Sequence, residues 1–198
     1  METAEATMPV QMALKPKTTE ASELMTGEDL AALGDIGPAE LVKGKLVRMS
    51  PAGHLHGYYE VNVSAALQAK VRPKKLGRVL VGEVGIYIER NPDTVRGADV
   101  AFISNERLAR VQSPSFLDVA PELVVEIMSP DDRWSEISEK IAEYFSIEVQ
   151  MVWIVDPRRQ QVHVYRSPTE VEILTAEETL SGREILPDFS VPVAELFE

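Results

Sequence analysis

The sequence contains no cysteine. Disulfide staples, zinc–thiolate sites and a thiol nucleophile are thereby excluded, and the expected location is the reducing cytoplasm. Long apolar runs are missing too. Nothing approaches the roughly 18–20 residues that a membrane-spanning helix needs, so no membrane partner is expected. The opening METAEATMPVQMALKPKTTE has no basic segment followed by an apolar one, which argues against a secretory signal. Positive charge is scarce: 20 Lys and Arg stand against 32 Asp and Glu, a net charge of −12. Such a balance speaks against general affinity for nucleic acid, which depends on cations that neutralise phosphates. No Ser-His-Asp order, Gly-rich phosphate loop or dinucleotide fingerprint stands out, and GEVG at 82–85 is too short to count as one.

What is present suffices for a core. The chain has 198 residues, 44% of them hydrophobic and 26% charged, in the range of an ordinary globular domain. Residues 1–22 are polar and without period, and the expectation is a mobile tail followed by one domain over 23–198. The charge is uneven. Between Val61 and Gly82 there is no acid, while Lys70, Arg72, Lys74, Lys75 and Arg78 all fall there. Such a run is either a solvated face or a substrate-facing patch.

The pattern predicts alternating helices and strands. MTGEDLAALGD (25–35) suits a short helix capped by Thr26 with Asp29 three residues on. AELVKGKLVRMSP (39–51) reads as strand, Lys-Gly turn, strand. In 54–75, Tyr59, Val63, Ala66, Leu67 and Val71 recur at helical spacing, and Pro73 limits the end. RVLVGEVGIYIER (78–90) reads as one or two strands, with further strands at 99–103, 122–128, 151–156, 161–166 and 170–175. Ser129-Pro130 predicts a helix start, running to about Ile147 with Ile137, Ile141, Tyr144 and Phe145 inward. Trp134 and Trp153 read as core. The last stretch, LPDFSVPVAELFE, reads as irregular with at most one short helix. This order predicts an α/β fold, a mixed central β-sheet flanked by helices.

One residue sits awkwardly in that scheme. Glu126 lies inside the apolar strand ELVVEIM, on the face it shares with Val124 and Met128. An isolated carboxylate there is neutralised or destabilising, so it needs a basic partner or a bound cation. Asp99 opens the strand DVAFI; it either pairs locally, with Arg96 for example, or joins Glu126. Two carboxylates on neighbouring strands can hold a divalent cation through hard oxygen ligands. Lys140, at the margin of the inward face of the 129–147 helix, can reach such a site. It can also form a buried structural pair with Glu126. His54 and His56, spaced i, i+2, do not face one another on a helix.

Four stretches in order, AELVKGKLVRMSPAGHLHG, RGADVAFIS, PELVVEIMSPDDRWSEISEKIAEYF and VWIVDPRRQQVHVY, resemble the Uma2-like (DUF820) proteins of the PD-(D/E)XK nuclease-like superfamily. They span roughly residues 39–166. The resemblance implies a restriction-endonuclease-like core and a phosphodiester hydrolase, an endonuclease dependent on Mg²⁺ or Mn²⁺. It implies Asp99 and Glu126 as metal ligands, with Glu40 a further acid and His56 near the pocket. The lysine that usually follows the glutamate by two residues is Met128 here, and Lys140 on the following helix fits its place. Lys70, Arg72, Lys74, Lys75 and Arg78 are the expected substrate surface. The expected partners are nucleic acid, DNA before RNA, and a second copy of the chain in a homodimer. The competing expectation is a non-catalytic homodimeric scaffold that keeps the fold.

Overall fold

The structure is a computed structural model that describes residues 24–198; the tail expected over 1–22 lies outside the described residues. The elements are helix α1 (Gly27–Ala32), strands β1 (Ala39–Val42) and β2 (Lys45–Arg48), helix α2 (His54–Lys74), strands β3 (Gly77–Glu89) and β4 (Thr94–Ser104), helix α3 (Asn105–Leu108), strand β5 (Leu123–Ile127), helix α4 (Trp134–Ser146), and strands β6 (Met151–Asp156), β7 (Gln161–Ser167), β8 (Glu170–Thr175), β9 (Thr179–Gly182) and β10 (Leu186–Pro192). A 3₁₀ turn, Val193–Leu196, follows.

Eight strands form one sheet in the order β2-β1-β4-β5-β6-β7-β8, with β3 on the other side of β4; β9 and β10 make a separate pair. Pairing is antiparallel except between β5 and β6, which run parallel. The sheet is therefore mixed, as the order of elements predicted. Side-chain alternation fills both faces. Leu123, Val125 and Ile127 of β5 join Met151, Trp153 and Val155 of β6 beneath Val63, Leu67 and Val71 of α2. Val124, Val152 and Ile154 turn the other way, onto Ile137, Ile141 and Tyr144 of α4. Glu126 belongs to this second face.

Local signals placed several elements well. Thr26 and Asp29 form the reciprocal capping box, and the Lys43-Gly44 turn has φ of 50° and 74° at its two residues, the left-handed pair that a two-residue hairpin demands. Four expectations need correction. The strand that holds Asp99 begins at Thr94, so Asp99 lies in its middle. Helix α4 begins at Trp134 with Arg133 as its cap; the Ser129 amide donates instead to Asp132 Oδ2 at 2.7 Å, closing a separate turn before the helix. Trp134 is 37% exposed and lies against His163, ring centroids 5.0 Å apart. The stretch read as irregular contributes the strand β10. No helix among the described residues is long and apolar enough to cross a membrane.

Candidate active site

The site occupies a break in the sheet. Strand β4 is paired along its length by β3. On its other side β1 pairs at Val95, and β5 begins only at Val100. Among the described residues no strand covers that side between them, at Arg96, Gly97, Ala98 and Asp99. Buried backbone groups must still be paired, and here side chains do it. The Gly97 amide donates to Glu40 Oε1 at 3.1 Å. The Gly97 carbonyl accepts from Lys140 Nζ at 3.0 Å. The Ile127 amide, at the end of β5, donates to Asp99 Oδ2 at 2.6 Å.

These contacts bring the predicted residues together. Extending the Val100–Val125 register by one residue sets Asp99 opposite Glu126. Glu126 Oε2 accepts from Lys140 Nζ at 2.8 Å, and its Oε1 lies 2.6 Å from the Tyr144 hydroxyl. Lys140 also lies 3.3 Å from Glu40 Oε1. His56, in the first turn of α2, sets Nε2 3.1 Å from Asp99 Oδ1 and Nδ1 3.2 Å from Ser129 Oγ. Arg96, the expected local partner of Asp99, turns away from it: its guanidinium bridges Glu40 at 2.9 Å and Glu143 at 2.6 Å.

The electrostatics follow from this packing. Burial, seconded by Asp99 and only partly offset by Lys140, pushes the Glu126 carboxyl up to about 7. Burial works against the Lys140 ammonium, but Glu126 and Glu40 outweigh it and hold the lysine charged well past its ordinary range. Burial also works against the Glu40 carboxylate, yet Lys140 and Arg96 bring it below the usual value. The hydrogen bond to Asp99 raises His56 despite burial. A lysine so firmly protonated is no proton acceptor. It is a fixed positive charge.

A cleft of about 710 Å³ opens over these groups. Eight carboxylate residues line it against three basic ones, His56, Arg96 and Lys140. The stretch Lys70, Arg72, Lys74, Lys75 and Arg78 is not part of the lining. Lys70, Arg72 and Lys74 lie at the far end of α2, roughly 20–27 Å along the helix from His56 at 1.5 Å per residue, where Lys74 pairs with Asp188; Lys75 caps that helix and Arg78 lies at the start of β3.

Four contributors were missed in the sequence. Tyr144 was read only as core, although its position four residues after Lys140 puts both on one helix face. Arg96 and Glu143 meet through tertiary packing and leave no local sign. Glu83 is delivered by a bulge in β3 between Val81 and Val84: Gly82 and Glu83 take φ of 86° and 56°, a conformation an L-residue adopts in such irregularities. The Glu83 carboxylate reaches over Gly97, so that a Cβ there would meet Glu83 Oε2 at 2.6 Å. Burial and then Asp99 raise its carboxyl above the ordinary range. Gly97→Ala should therefore push a flexible side-chain end aside, leave the melting temperature almost unchanged, and measurably alter divalent-metal affinity in titration calorimetry.

The donor set suits a hard cation. Among the described residues no three His, Asp or Glu side chains are arranged as metal ligands. Mg²⁺ binds through one or two carboxylates while keeping water or phosphate oxygens for the rest. Asp99 and Glu126 could serve in that role: they lie opposite each other at the break in the sheet, and burial raises the Glu126 carboxyl above its ordinary range.

Comparison with known proteins agrees with this architecture. The chain is similar to a solved structure described as “a putative nuclease belonging to DUF820 from Anabaena variabilis ATCC 29413”, with a TM-score of 0.74, 20% identity, and coverage of 87% of this chain and 97% of that one. The fold is thus that of a nuclease-like protein, a mixed sheet with flanking helices. A family profile matches residues 28–194, and the chain belongs to the Uma2 family, described as “Putative restriction endonuclease”. No curated protein matches it.

Proposed function

We propose that the protein is a metal-dependent nuclease that hydrolyses phosphodiester bonds, with DNA before RNA as substrate. The observation that carries this reading is the placement of Asp99 opposite Glu126, one residue beyond the last β4–β5 pair, with the Lys140 ammonium 2.8 Å from the latter. Asp99 and Glu126 would hold Mg²⁺ or Mn²⁺, which supplies Lewis acidity and lowers the pKa of its bound water. Lys140 offers positive charge to the phosphoryl group as negative charge develops on it. Glu40 and Gly97 hold that ammonium in place, and Arg96 fixes Glu40. His56 orients Asp99. The many acids around the cleft repel phosphate unless a cation intervenes, which fits a metal requirement. The remote basic stretch is then a secondary contact for longer substrates.

The test is cleavage of single- and double-stranded oligonucleotides with Mn²⁺, for wild type, Asp99→Asn and Lys140→Met. Loss of hydrolysis in both variants is expected. Activity that survives in Asp99→Asn would overturn the assignment. Binding should also depend on pH. Glu126 must give up its proton to take a metal, so Mn²⁺ affinity should fall about tenfold per unit once pH drops below about 7. Calorimetric titrations at pH 6 and pH 8 measure this.

One observation favours a second reading, a homodimeric scaffold without catalysis. Lys140 already has three partners, Glu126, Glu40 and the Gly97 carbonyl, which is what a purely structural pair would show.

A further inference from the structure

A second cavity, of about 310 Å³, adjoins the cleft. The two share Gly53, His56, Met128, Ser129 and Pro130 in their walls, so the contact between His56 and Ser129 forms part of the partition. The cavity lies just past the carboxyl ends of the parallel strands β5 and β6, where open α/β sheets place ligands. Its chemistry differs from that of the cleft. Leu55, Tyr59, Met128, Pro130 and Pro157 give it apolar walls, and no carboxylate lines it. Its one permanently charged residue is Arg158, an exposed side chain. Among the described residues no carboxylate pairs with Arg158.

A small, largely apolar recess with an uncommitted guanidinium, opening onto a site for phosphate chemistry, has the features of a nucleotide subsite. The size is at the lower end of small-ligand pockets, about 300–1,000 Å³, and suits one base with its sugar. An aromatic ring and flat apolar side chains accept the face of a base without regard to sequence, and a guanidinium suits phosphate oxygens. We propose that this cavity takes one unstacked nucleobase of the strand being cut, with its phosphate directed toward Arg158 and the cleft. The inference rests on the nuclease reading and narrows it. The substrate is a nucleic acid with an unpaired nucleotide at the scissile position, a single strand or a flipped-out base. A strand held by one base and one phosphate also needs little of the extended cationic surface that the cleft lacks.

The test separates binding from hydrolysis. Metal-free ¹⁵N-labelled protein is titrated with thymidine, thymidine 5′-monophosphate and inorganic phosphate, and amide shifts are followed by NMR. Thymidine is expected to shift Leu55, Tyr59, Met128 and Arg158. The monophosphate should bind at least tenfold more tightly than thymidine, and Arg158→Ala should remove that difference. Leu55→Asp should weaken both by tenfold or more by setting a carboxylate in the recess. Leu55 is 55% exposed and lies in the first turn of α2, where an acid favours the helix, so this variant retains its fold. Shifts caused equally by inorganic phosphate, or no shifts with thymidine, would overturn the proposal whether or not the protein cuts. A protein that binds thymidine here but cuts nothing would leave the subsite standing and remove the nuclease reading. In an active protein, an abasic nucleotide at the cut site should lower cleavage of a single strand tenfold or more. Undiminished cleavage of that abasic strand would also count against the subsite.

Discussion

Metal-free Glu126→Gln protein is expected to melt at or above the wild-type temperature at pH 8. Burial and the neighbouring Asp99 raise the Glu126 carboxyl from an ordinary value of 4.5 to about 7. A carboxyl whose folded pKa is raised contributes most below its unfolded pKa, and that contribution is lost as pH climbs through the folded one. Wild type should therefore lose stability between about pH 4.5 and 7, on the order of 3 kcal/mol at 1.36 kcal/mol per unit. The amide lacks that slope. It can turn its oxygen to Lys140 and donate to the Tyr144 hydroxyl, which lies 3.3 Å from the Gly97 carbonyl. Lys140 keeps Glu40 and Gly97 as partners, so no charge is stranded. Mn²⁺ should raise the melting point of wild type and leave the variant unmoved. A structural ion pair gives the opposite picture: a variant weaker by about 3–5 kcal/mol, and a wild type indifferent to metal. At about 2–4 °C per kcal/mol for a protein of this size, one set of melts distinguishes them.

Lys140→Met should be the most damaging single change in the cleft. It removes the cation that Glu126 and Glu40 share and leaves the Gly97 carbonyl to Tyr144 alone. Breaking a buried pair from the lysine side strands the carboxylates, which typically costs about 3–5 kcal/mol. The loss should be largest at pH 8 and shrink toward pH 5 as Glu126 takes up a proton, because a neutral carboxyl no longer misses its partner. Denaturant unfolding at the two pH values measures it. A deficit under about 1 kcal/mol at pH 8 would show that Lys140 is not coupled to the acids.

The difference between these two substitutions explains which parts of the site the sequence could reveal. Glu126 broke the apolar alternation of its strand and so announced itself, and Lys140 sat on the margin of a regular amphipathic helix. Periodicity exposes departures of that kind. The break beside β4 is different. It arises because β1 and β5 pair with one strand at separate positions, a fact of topology with no trace in DVAFI. Arg96 was legible as a neighbour of Asp99, but its partners are 56 and 47 residues away. Glu83 depends on a bulge whose only mark is Gly82. The misplaced start of α4 has a local cause: Ser129 and Pro130 are good helix openers, yet Asp132 closes a turn with Ser129 first. The final hairpin has a weak local signal, because Pro187 and Pro192 in LPDFSVP disfavour a strand.

The Gly97 amide makes the site observable without any substrate. Its proton is kept from water by one side-chain oxygen of Glu40, where every ordinary strand amide relies on a neighbouring backbone. Its deuterium uptake is therefore a clock set by Glu40 rather than by unfolding of the sheet. If Glu40 swings to an added metal ion, this single amide should exchange faster while Val100 and Phe102, a few residues along the same strand, keep their protection. Hydrogen exchange would then follow the motion of one buried carboxylate in a molecule that is otherwise at rest.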